Sequence, residues 1–171
     1  MKKLKSPRGF RLKMSVIPFQ ADSIISLPNL KSHKHWELRM TGALKMVVGY
    51  FSKFERIKMH MIVLKSRWKC IAEANWFLMK QEDSPSHLTI MDAVRPLIHA
   101  NEIRHGGEPV YAGYIFAGNA PSVLDLYGFE FLKEYDAKYA DKTVDYVPYI
   151  KLSMNYLKEG PEYELKEVSL S

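Results

Sequence analysis

Apolar and polar residues alternate along much of the chain, which is the period-2 pattern of half-buried β-strands. One stretch, residues 44–51, also fits a helix by spacing, but its two valines and its glycine favour a strand. The polar turn at residues 65–67 joins two alternating stretches into a hairpin, and with residues 44–51 they predict an antiparallel meander. The predicted strands are residues 10–17, 44–51, 57–63, 68–80, 110–116, 129–135 and 144–154.

Helices are predicted between these strands. Residues 20–41 predict two short helices. Residues 89–105 predict a longer one, because Thr89 and Asp92 have capping-box spacing and Gly106-Gly107 supplies a left-handed stop. Pro96 conflicts with that helix, so it either bends or begins near the proline. Residues 121–126 predict a short helix with proline in its first turn.

The order of these elements predicts an α/β (α+β) protein, with a central, mostly antiparallel mixed sheet flanked by helices. The length of 171 residues fits one domain. We expect a flexible basic tail at residues 1–9, a single domain over 10–157, and a C-terminal tail over 158–171.

Composition points to a soluble cytoplasmic protein. Cys70 is the single cysteine and has no partner for an internal disulfide, which suits a reducing compartment. Charged residues interrupt every apolar stretch, so the sequence predicts no membrane span and no targeting segment.

A formal net charge of +6 favours anionic partners, either nucleic acid or a phosphorylated cofactor. The simpler interpretation is a solvated basic surface, which the sequence favours over nucleic-acid binding. For a nucleic-acid-binding protein, the lysines and aromatic residues of 58–80 would form the surface.

Motifs for several chemistries are missing. The six histidines include no HExxH, and the one cysteine excludes CxxC, so we expect no metal site. There is no Walker A loop and no Gly-x-Ser-x-Gly elbow. His87 and Thr89 match half of a two-histidine phosphoesterase signature whose second half is absent.

The carboxyl half resembles the GNAT superfamily of N-acetyltransferases. The matching features are a helix closing on Gly106-Gly107, the strand at 110–116, Asn119 after it, and a short helix ending in Tyr127 and Gly128-Phe129. Residues 47–50 and 72–77 are similar to the second and fourth strands, the latter as in compact members carried by bacteriophages. The resemblance covers about residues 10–157 and implies a GNAT-like domain.

That resemblance implies two catalytic residues. Glu73 would be the general base, its alternative being a solvent-facing strand residue, and Tyr127 the general acid, its alternative being a buried packing aromatic. The cofactor would be acetyl-CoA. The implied cofactor-binding residues are Phe77, Leu78, Met79, Ser84, Ser86, His87 and Asn119.

The phosphate-binding loop departs from the family. Residues 81–88 contain no glycine, although glycine lets a backbone approach phosphate closely. Glu82 and Asp83 would repel the anion. Ser84, Ser86 and a helix N-terminus would have to donate instead.

The sequence therefore predicts an acetyl-CoA-dependent N-acyltransferase that moves an acetyl group directly to the amine of an unidentified acceptor. Two alternatives stay open. One is a catalytically silent GNAT-like module used for binding or structure, and the other is a basic nucleic-acid-binding protein.

Overall fold

The computed structural model describes residues 1–34, 38–60, 67–160 and 166. Its strands are β1 (Lys2–Lys5), β2 (Arg11–Met14), β3 (Ser23–Ser26), β4 (Asn29–Ser32), β5 (Met40–Thr41), β6 (Ser86–Ile98), β7 (Glu108–Pro109) and β8 (Tyr114–Gly118). Its α-helices are α1 (Lys53–His60), α2 (Arg67–Met79), α3 (Pro121–Tyr135) and α4 (Pro148–Leu157). Short 3-10 helices cover Ile17–Phe19, Leu44–Tyr50, Ile103–His105 and Val144–Tyr146.

The first two strands form a separate two-stranded ribbon. β1 pairs antiparallel with β2, so residues 2–5 are a strand and the predicted tail over 1–9 is wrong there. Leu12 and Met14 on one face of the ribbon are buried in the core. Gly9, with a φ of 78°, lets the chain turn between the strands.

The 13-residue strand β6 is the centre of the main sheet. β3 and β4 pair parallel with successive parts of one edge of β6, and β5 pairs antiparallel with β4. β8 and β7 pair antiparallel with the other edge. The described residues thus confirm the predicted class, an α+β fold with a mixed sheet flanked by helices.

The helix predicted over residues 89–105 is wrong, because β6 occupies most of that stretch. Side chains alternate along the strand: Thr89, Met91 and Ala93 are buried, whereas Leu88 is exposed. Burial of one face on the helices outweighs the local capping-box signal. The predicted glycine stop is confirmed in part, since Gly106 is left-handed and ends the short helix Ile103–His105.

The strand predicted over residues 68–80 is helix α2. This helix packs against α4 and against residues 44–50. It is buried on several sides, including Cys70, Ile71, Ala72 and Ala74, so no polar face marks its 3.6-residue period.

Several other assignments are wrong in the same way. Residues 44–50 are a 3-10 helix, residues 57–60 belong to α1, and 61–63 lie outside the described residues. The helices predicted within 20–41 are strands β3, β4 and β5 over the described part. The strands predicted over 129–135 and 144–154 are α3 and mainly α4, and that over 110–116 overlaps β8 only from Tyr114.

Two predicted features near the carboxyl end have mixed outcomes. A helix begins at Pro121 as predicted, but it runs on to Tyr135. The tail predicted from residue 158 begins with a packed residue: Glu159 is buried and accepts a hydrogen bond from the Ser122 backbone N–H at 3.0 Å. Of residues 161–171, only Lys166 lies within the described residues.

α3 approaches the sheet closely at Gly128. A Cβ at this position would lie 3.0 Å from Leu30 Cδ1 and 3.1 Å from Met91 Cε, so glycine permits the contact. No helix among the described residues is long and apolar enough to cross a membrane.

A buried carboxylate joins α3 to the start of the crossover between β4 and β6. Asp125 accepts hydrogen bonds from the backbone N–H groups of Ala43 at 2.5 Å and Leu44 at 3.1 Å. Burial raises the pKa of Asp125 to about 7, although both backbone hydrogen bonds act in the opposite direction. A Cβ on Gly42 would overlap Oδ1 of Asp125, so a side chain there would displace the carboxylate.

We predict that Asp125→Ala lowers the free energy of unfolding by about 2–4 kcal/mol, because two buried N–H groups lose their acceptor. Urea denaturation monitored by circular dichroism measures the change. Glu130→Ala on the same helix is the control and should cost less than about 1 kcal/mol, because Glu130 makes only a surface ion pair with Lys133. Equal losses in the two variants would contradict the role of Asp125.

Candidate functional site at the carboxyl edge of the parallel strands

The carboxylate expected to be the general base is engaged in an ion pair. Glu73 lies on α2 with 0% of its side chain exposed, so it is neither on a strand nor facing solvent. Arg8 donates to it from Nε at 2.9 Å and from Nη2 at 2.8 Å. The Arg8 guanidinium also lies over the rings of Trp76, at 4.7 Å, and Tyr156, at 3.8 Å. Through these contacts with Arg8, Glu73 holds the turn after β1 against α2 and α4.

Tyr127 and Asn119 lie around the start of α3. The resemblance implies that Tyr127 is the general acid and that Asn119 binds the cofactor. Tyr127 is half-buried on α3 and packs against the core, as its packing alternative predicted. Asn119 is exposed between β8 and α3. Their proposed roles stay predictions.

The resemblance implies that the backbone of residues 77–79 pairs with the pantetheine arm of acetyl-CoA like an added strand, and this pairing does not fit the structure. Phe77, Leu78 and Met79 form the last residues of α2, where the backbone follows a helical path and cannot add a strand. Phe77 and Leu78 are also buried in the core.

The segment expected to receive a pyrophosphate does not fit that group either. The Gln81 N–H donates to Ser84 Oγ at 2.8 Å, and Ser86 Oγ lies 2.7 Å from Ser23 Oγ. Residues 81–85 then lead into strand β6, so the helix that was expected to begin after this segment is not there. Glu82 and Asp83 are exposed there.

Three of the implied cofactor residues do meet, around a small cavity. Leu78, Met79 and His87 line it together with Asn75 and Thr89. Its volume is about 10 Å³, which is space for about one water molecule. Burial lowers the pKa of His87, and its Nδ1 has no hydrogen-bond partner among the described residues. The cavity is too small for a thioester substrate.

A larger group of polar side chains lies where β4 and β6 end. The two strands are parallel neighbours, with Lys31 opposite Leu97, so their carboxyl ends meet at one edge of the sheet. Such an edge is the usual position of ligands in parallel sheets. We call the residues here the carboxyl-edge cluster: Ser32, His33, Arg39, His99, Asp136, Lys138, Tyr139 and Tyr146.

Asp136 is the centre of the carboxyl-edge cluster. It follows α3 directly and is 1% exposed. Its carboxylate accepts hydrogen bonds from Ser32 Oγ, from the His99 N–H at 2.7 Å and from the Lys138 N–H at 3.2 Å. Burial by itself would raise the pKa of Asp136, but these hydrogen bonds outweigh it and the pKa is lowered. Asp136 is therefore ionised at neutral pH.

The carboxylate positions the imidazole of His99. Nδ1 of His99 lies 3.4 Å from Oδ1 of Asp136, and the side chain is 51% exposed. Nε2 lies on the solvent side, 3.8 Å from the exposed carboxylate of Glu108. His99 has a φ of 67°, which is uncommon for a residue other than glycine. Such backbone geometry is often found at functional sites.

Two cations lie beside this pair. Lys138 Nζ donates to the carbonyl oxygens of His33 at 3.2 Å and His99 at 3.3 Å, which ties the ends of β4 and β6 together. Burial lowers the pKa of Lys138 and the nearby Arg39 adds to that effect, while Asp136 opposes it. Arg39, with a φ of 58°, donates to Tyr146 Oη at 3.1 Å and lies over the same ring.

Buried tyrosine hydroxyls complete the arrangement. Tyr139 Oη donates to the carbonyl oxygen of Arg39 at 2.6 Å, and Tyr149 Oη donates to that of Met40 at 2.9 Å. Burial raises the pKa of both tyrosines, so both remain protonated donors. They fix the backbone that presents Arg39.

Comparison with known families gives one match. The family model described as "Domain of unknown function (DUF362)" matches residues 5–130, which is most of the chain. The chain belongs to the DUF362 family. The predicted membership of the GNAT superfamily is therefore wrong, and acetyl-CoA binding stays a prediction without that support. No curated protein and no solved structure matches the chain.

The DUF362 match divides the carboxyl-edge cluster. Ser32, His33, Arg39 and His99 lie inside it, whereas the segment from Asp136 to Tyr146 follows its end. Among the described residues of this DUF362 protein, no group of three or more His, Cys, Asp and Glu side chains is arranged to hold a metal ion.

Sequence reasoning missed the carboxyl-edge cluster. His33 and His99 were considered only as metal ligands, and Asp136 fell at the end of a predicted strand. The sequence does contain a feature that points to this site: polar residues directly follow two partly apolar stretches, Ser32-His33 after one and His99 after the other. It becomes informative only when residues 29–32 and 86–98 are known to be parallel strands.

We predict that Asp136→Asn lowers the free energy of unfolding at pH 7 by about 1–3 kcal/mol, because the buried donors lose a charged acceptor. The lowered pKa means that the wild-type contribution is present above the unfolded-state pKa of about 3.9 and is lost as the pH falls through the folded-state value. The difference between variant and wild type should therefore shrink in acid, as measured by urea denaturation at pH 7 and pH 3.

Asp141→Asn provides the control, because Asp141 is exposed and its ion-pair partner among the described residues is the surface side chain of Lys142. Its stability should follow the wild type at both pH values. A loss in Asp136→Asn that is the same at pH 7 and pH 3 would show that packing, and not the ionised carboxylate, is responsible.

Proposed function

We propose that this DUF362 protein is an enzyme in which His99, positioned by Asp136, acts as a general base on a small anionic substrate at the carboxyl edge of β4 and β6. The observation that carries this proposal is the pairing of a 1%-exposed carboxylate with a half-exposed imidazole at 3.4 Å. An oriented histidine with one nitrogen toward a carboxylate and the other toward solvent is the arrangement that general-base catalysis requires.

The proton would move through Nε2 of His99. A proton on Nδ1 faces Asp136, which leaves the lone pair of Nε2 to accept a proton from a water molecule or a substrate hydroxyl. The ionised Asp136 then stabilises the imidazolium that forms. Ser32 donates its own proton to Asp136, so it supports the carboxylate and does not act as a nucleophile.

An anionic substrate is favoured by the charges around this pair. Lys138 and Arg39 bring two positive charges to the same edge. Lys138 Nζ lies 3.9 Å from the buried Asp136 carboxylate, so Arg39 is the cation that we expect to contact the anion. Arg39 is presented by fixed backbone and stacks on Tyr146, which leaves it little conformational freedom to lose on binding. We expect the substrate to carry a phosphate or carboxylate group and to be hydrolysed by activated water.

The chain offers a matched control histidine. His105 is 53% exposed and lies 3.9 Å from the Glu102 carboxylate, so it resembles His99 in exposure and in having a carboxylate neighbour. Its partner, however, is a surface carboxylate that also pairs with Arg104. Comparing the two positions separates an oriented imidazole from an ordinary surface one, since exposed histidines hydrolyse activated esters weakly.

We predict that His99→Gln lowers the hydrolysis rate of the anionic ester p-nitrophenyl phosphate by about 100-fold or more, because general-base catalysis contributes about that much. His105→Gln should retain the wild-type rate, and Asp136→Asn should lower kcat more than it raises KM. Absorbance at the nitrophenolate band measures the rates. Turnover by His99→Gln at the wild-type rate, or no wild-type turnover above buffer, would contradict the proposal.

A further inference from the structure

We infer that the solvent face of the β1–β2 ribbon binds the phosphate backbone of duplex nucleic acid. This surface, which we call the basic ribbon face, consists of Lys3, Lys5, Arg11 and Lys13. It is separate from the carboxyl-edge cluster, so the inference does not depend on the proposed enzyme activity.

Strand register places all four cations on one side of the ribbon. Lys3 lies directly opposite Lys13, and Lys5 lies directly opposite Arg11. All four are exposed. The intervening pair, Leu4 and Leu12, points the other way, because successive residues of a strand face opposite sides.

Like charges placed directly opposite each other weaken an antiparallel pair. Side chains at such positions have Cβ atoms only about 4.5–5.5 Å apart. Within the described residues, no carboxylate forms an ion pair with any member of the basic ribbon face. Four other cations do have a carboxylate partner: Arg104 pairs with Glu102, Lys133 with Glu130, Lys142 with Asp141 and Lys151 with Asp145.

The apolar side of the ribbon fixes the basic face in place. Leu12 is 3% exposed and Met14 is 0% exposed. The Ser15 N–H donates to the carbonyl oxygen of Tyr50 at 2.7 Å, and Lys2 Nζ lies 4.5 Å from the centre of the Phe19 ring. A surface held in this way loses little freedom when it binds a partner.

The shape of the ribbon favours a duplex over other polyanions. A two-stranded β-ribbon fits the major groove of B-form DNA, which is about 12 Å wide. Alternate residues of a strand are about 7 Å apart, which is close to the axial rise of two nucleotides on one DNA strand. Lysine and arginine at these positions reach phosphates, so we expect binding to be independent of base sequence.

An anionic membrane fits the ribbon less well. Surface-bound proteins usually insert apolar side chains below the lipid headgroups. The apolar ribbon residues Leu12 and Met14 are instead buried in the protein core, although Met1, Val16 and Ile17, which flank the ribbon, are exposed. Vesicle binding is therefore an outcome that would overturn the inference.

Fluorescence anisotropy with a labelled duplex of about 20 base pairs tests the inference, at salt concentrations from about 50 to 200 mM. Neutralising four phosphates predicts a slope of about −3.6 for log K against log salt, and hence about a 100-fold loss of affinity across that range. The fourfold variant Lys3→Gln, Lys5→Gln, Arg11→Gln and Lys13→Gln should bring the slope near zero.

A charge-matched control uses the paired cations. The variant Arg104→Gln, Lys133→Gln, Lys142→Gln and Lys151→Gln also removes four of the formal +6 charges and should keep the wild-type slope. Equal loss in both fourfold variants would assign binding to net charge and overturn the basic ribbon face. Wild-type affinity in the ribbon variant would overturn it as well.

Two further measurements complete the test. Tighter binding to a single strand of the same length, or to phosphatidylserine vesicles, would overturn the assignment to a duplex. The thermal midpoint of the ribbon variant should equal or exceed the wild-type value, because like-charge pairs are removed. If that variant unfolds, two double variants replace it in the test: Lys3→Gln with Lys13→Gln, and Lys5→Gln with Arg11→Gln. Each should make the salt slope shallower by about 1.8. Unchanged slopes would overturn the inference.

Discussion

The hydrogen-bonding requirement of β6 determines how the rest of the molecule is arranged. A buried strand of 13 residues presents backbone donors and acceptors on both edges, and each needs a partner. No single strand in the described chain covers either edge, so β3 and β4 share one and β8 and β7 share the other. Because β4 is parallel to β6, the connection between them must cross the sheet, and the crossover carries α1 and α2.

The fold class was predictable from the sequence, whereas the identity of α2 and β6 was not. Proline at residue 121 and glycine at 106 act locally, so the helix start at Pro121 and the left-handed turn at Gly106 are confirmed, although both helices differ in length from the predicted ones. The sequence predicts a strand where α2 lies and a helix where β6 lies, because burial in the tertiary structure sets both residue patterns. α2 is covered on several sides and lacks a polar stripe, while β6 contains two residues, Thr89 and Asp92, whose spacing imitates a helix cap.

The candidate site was unpredictable for a related reason. Ser32 and Asp136 are 104 residues apart, and the first lies at the end of a strand and the second at the end of a helix. Local sequence spacing does not predict that Ser32 and Asp136 are in contact, because that contact results from the strand order and from the length of α3. The resemblance to acetyltransferases failed for the same reason: short matches of residue type around Asn119 and Tyr127 carry no information on whether the preceding segment is a helix or a strand.

Asp125 within α3 and Asp136 directly after it anchor the two ends of one helix segment to different parts of the chain. Asp125 holds the backbone of Ala43 and Leu44, and Asp136, 11 residues later, holds Ser32 and His99. At a rise of 1.5 Å per residue, these two sets of contacts are about 16 Å apart along the helix axis. The helix therefore sets the separation between the start of the crossover and the end of β4, so a change in its length would displace Ser32 and His99 relative to Ala43 and Leu44.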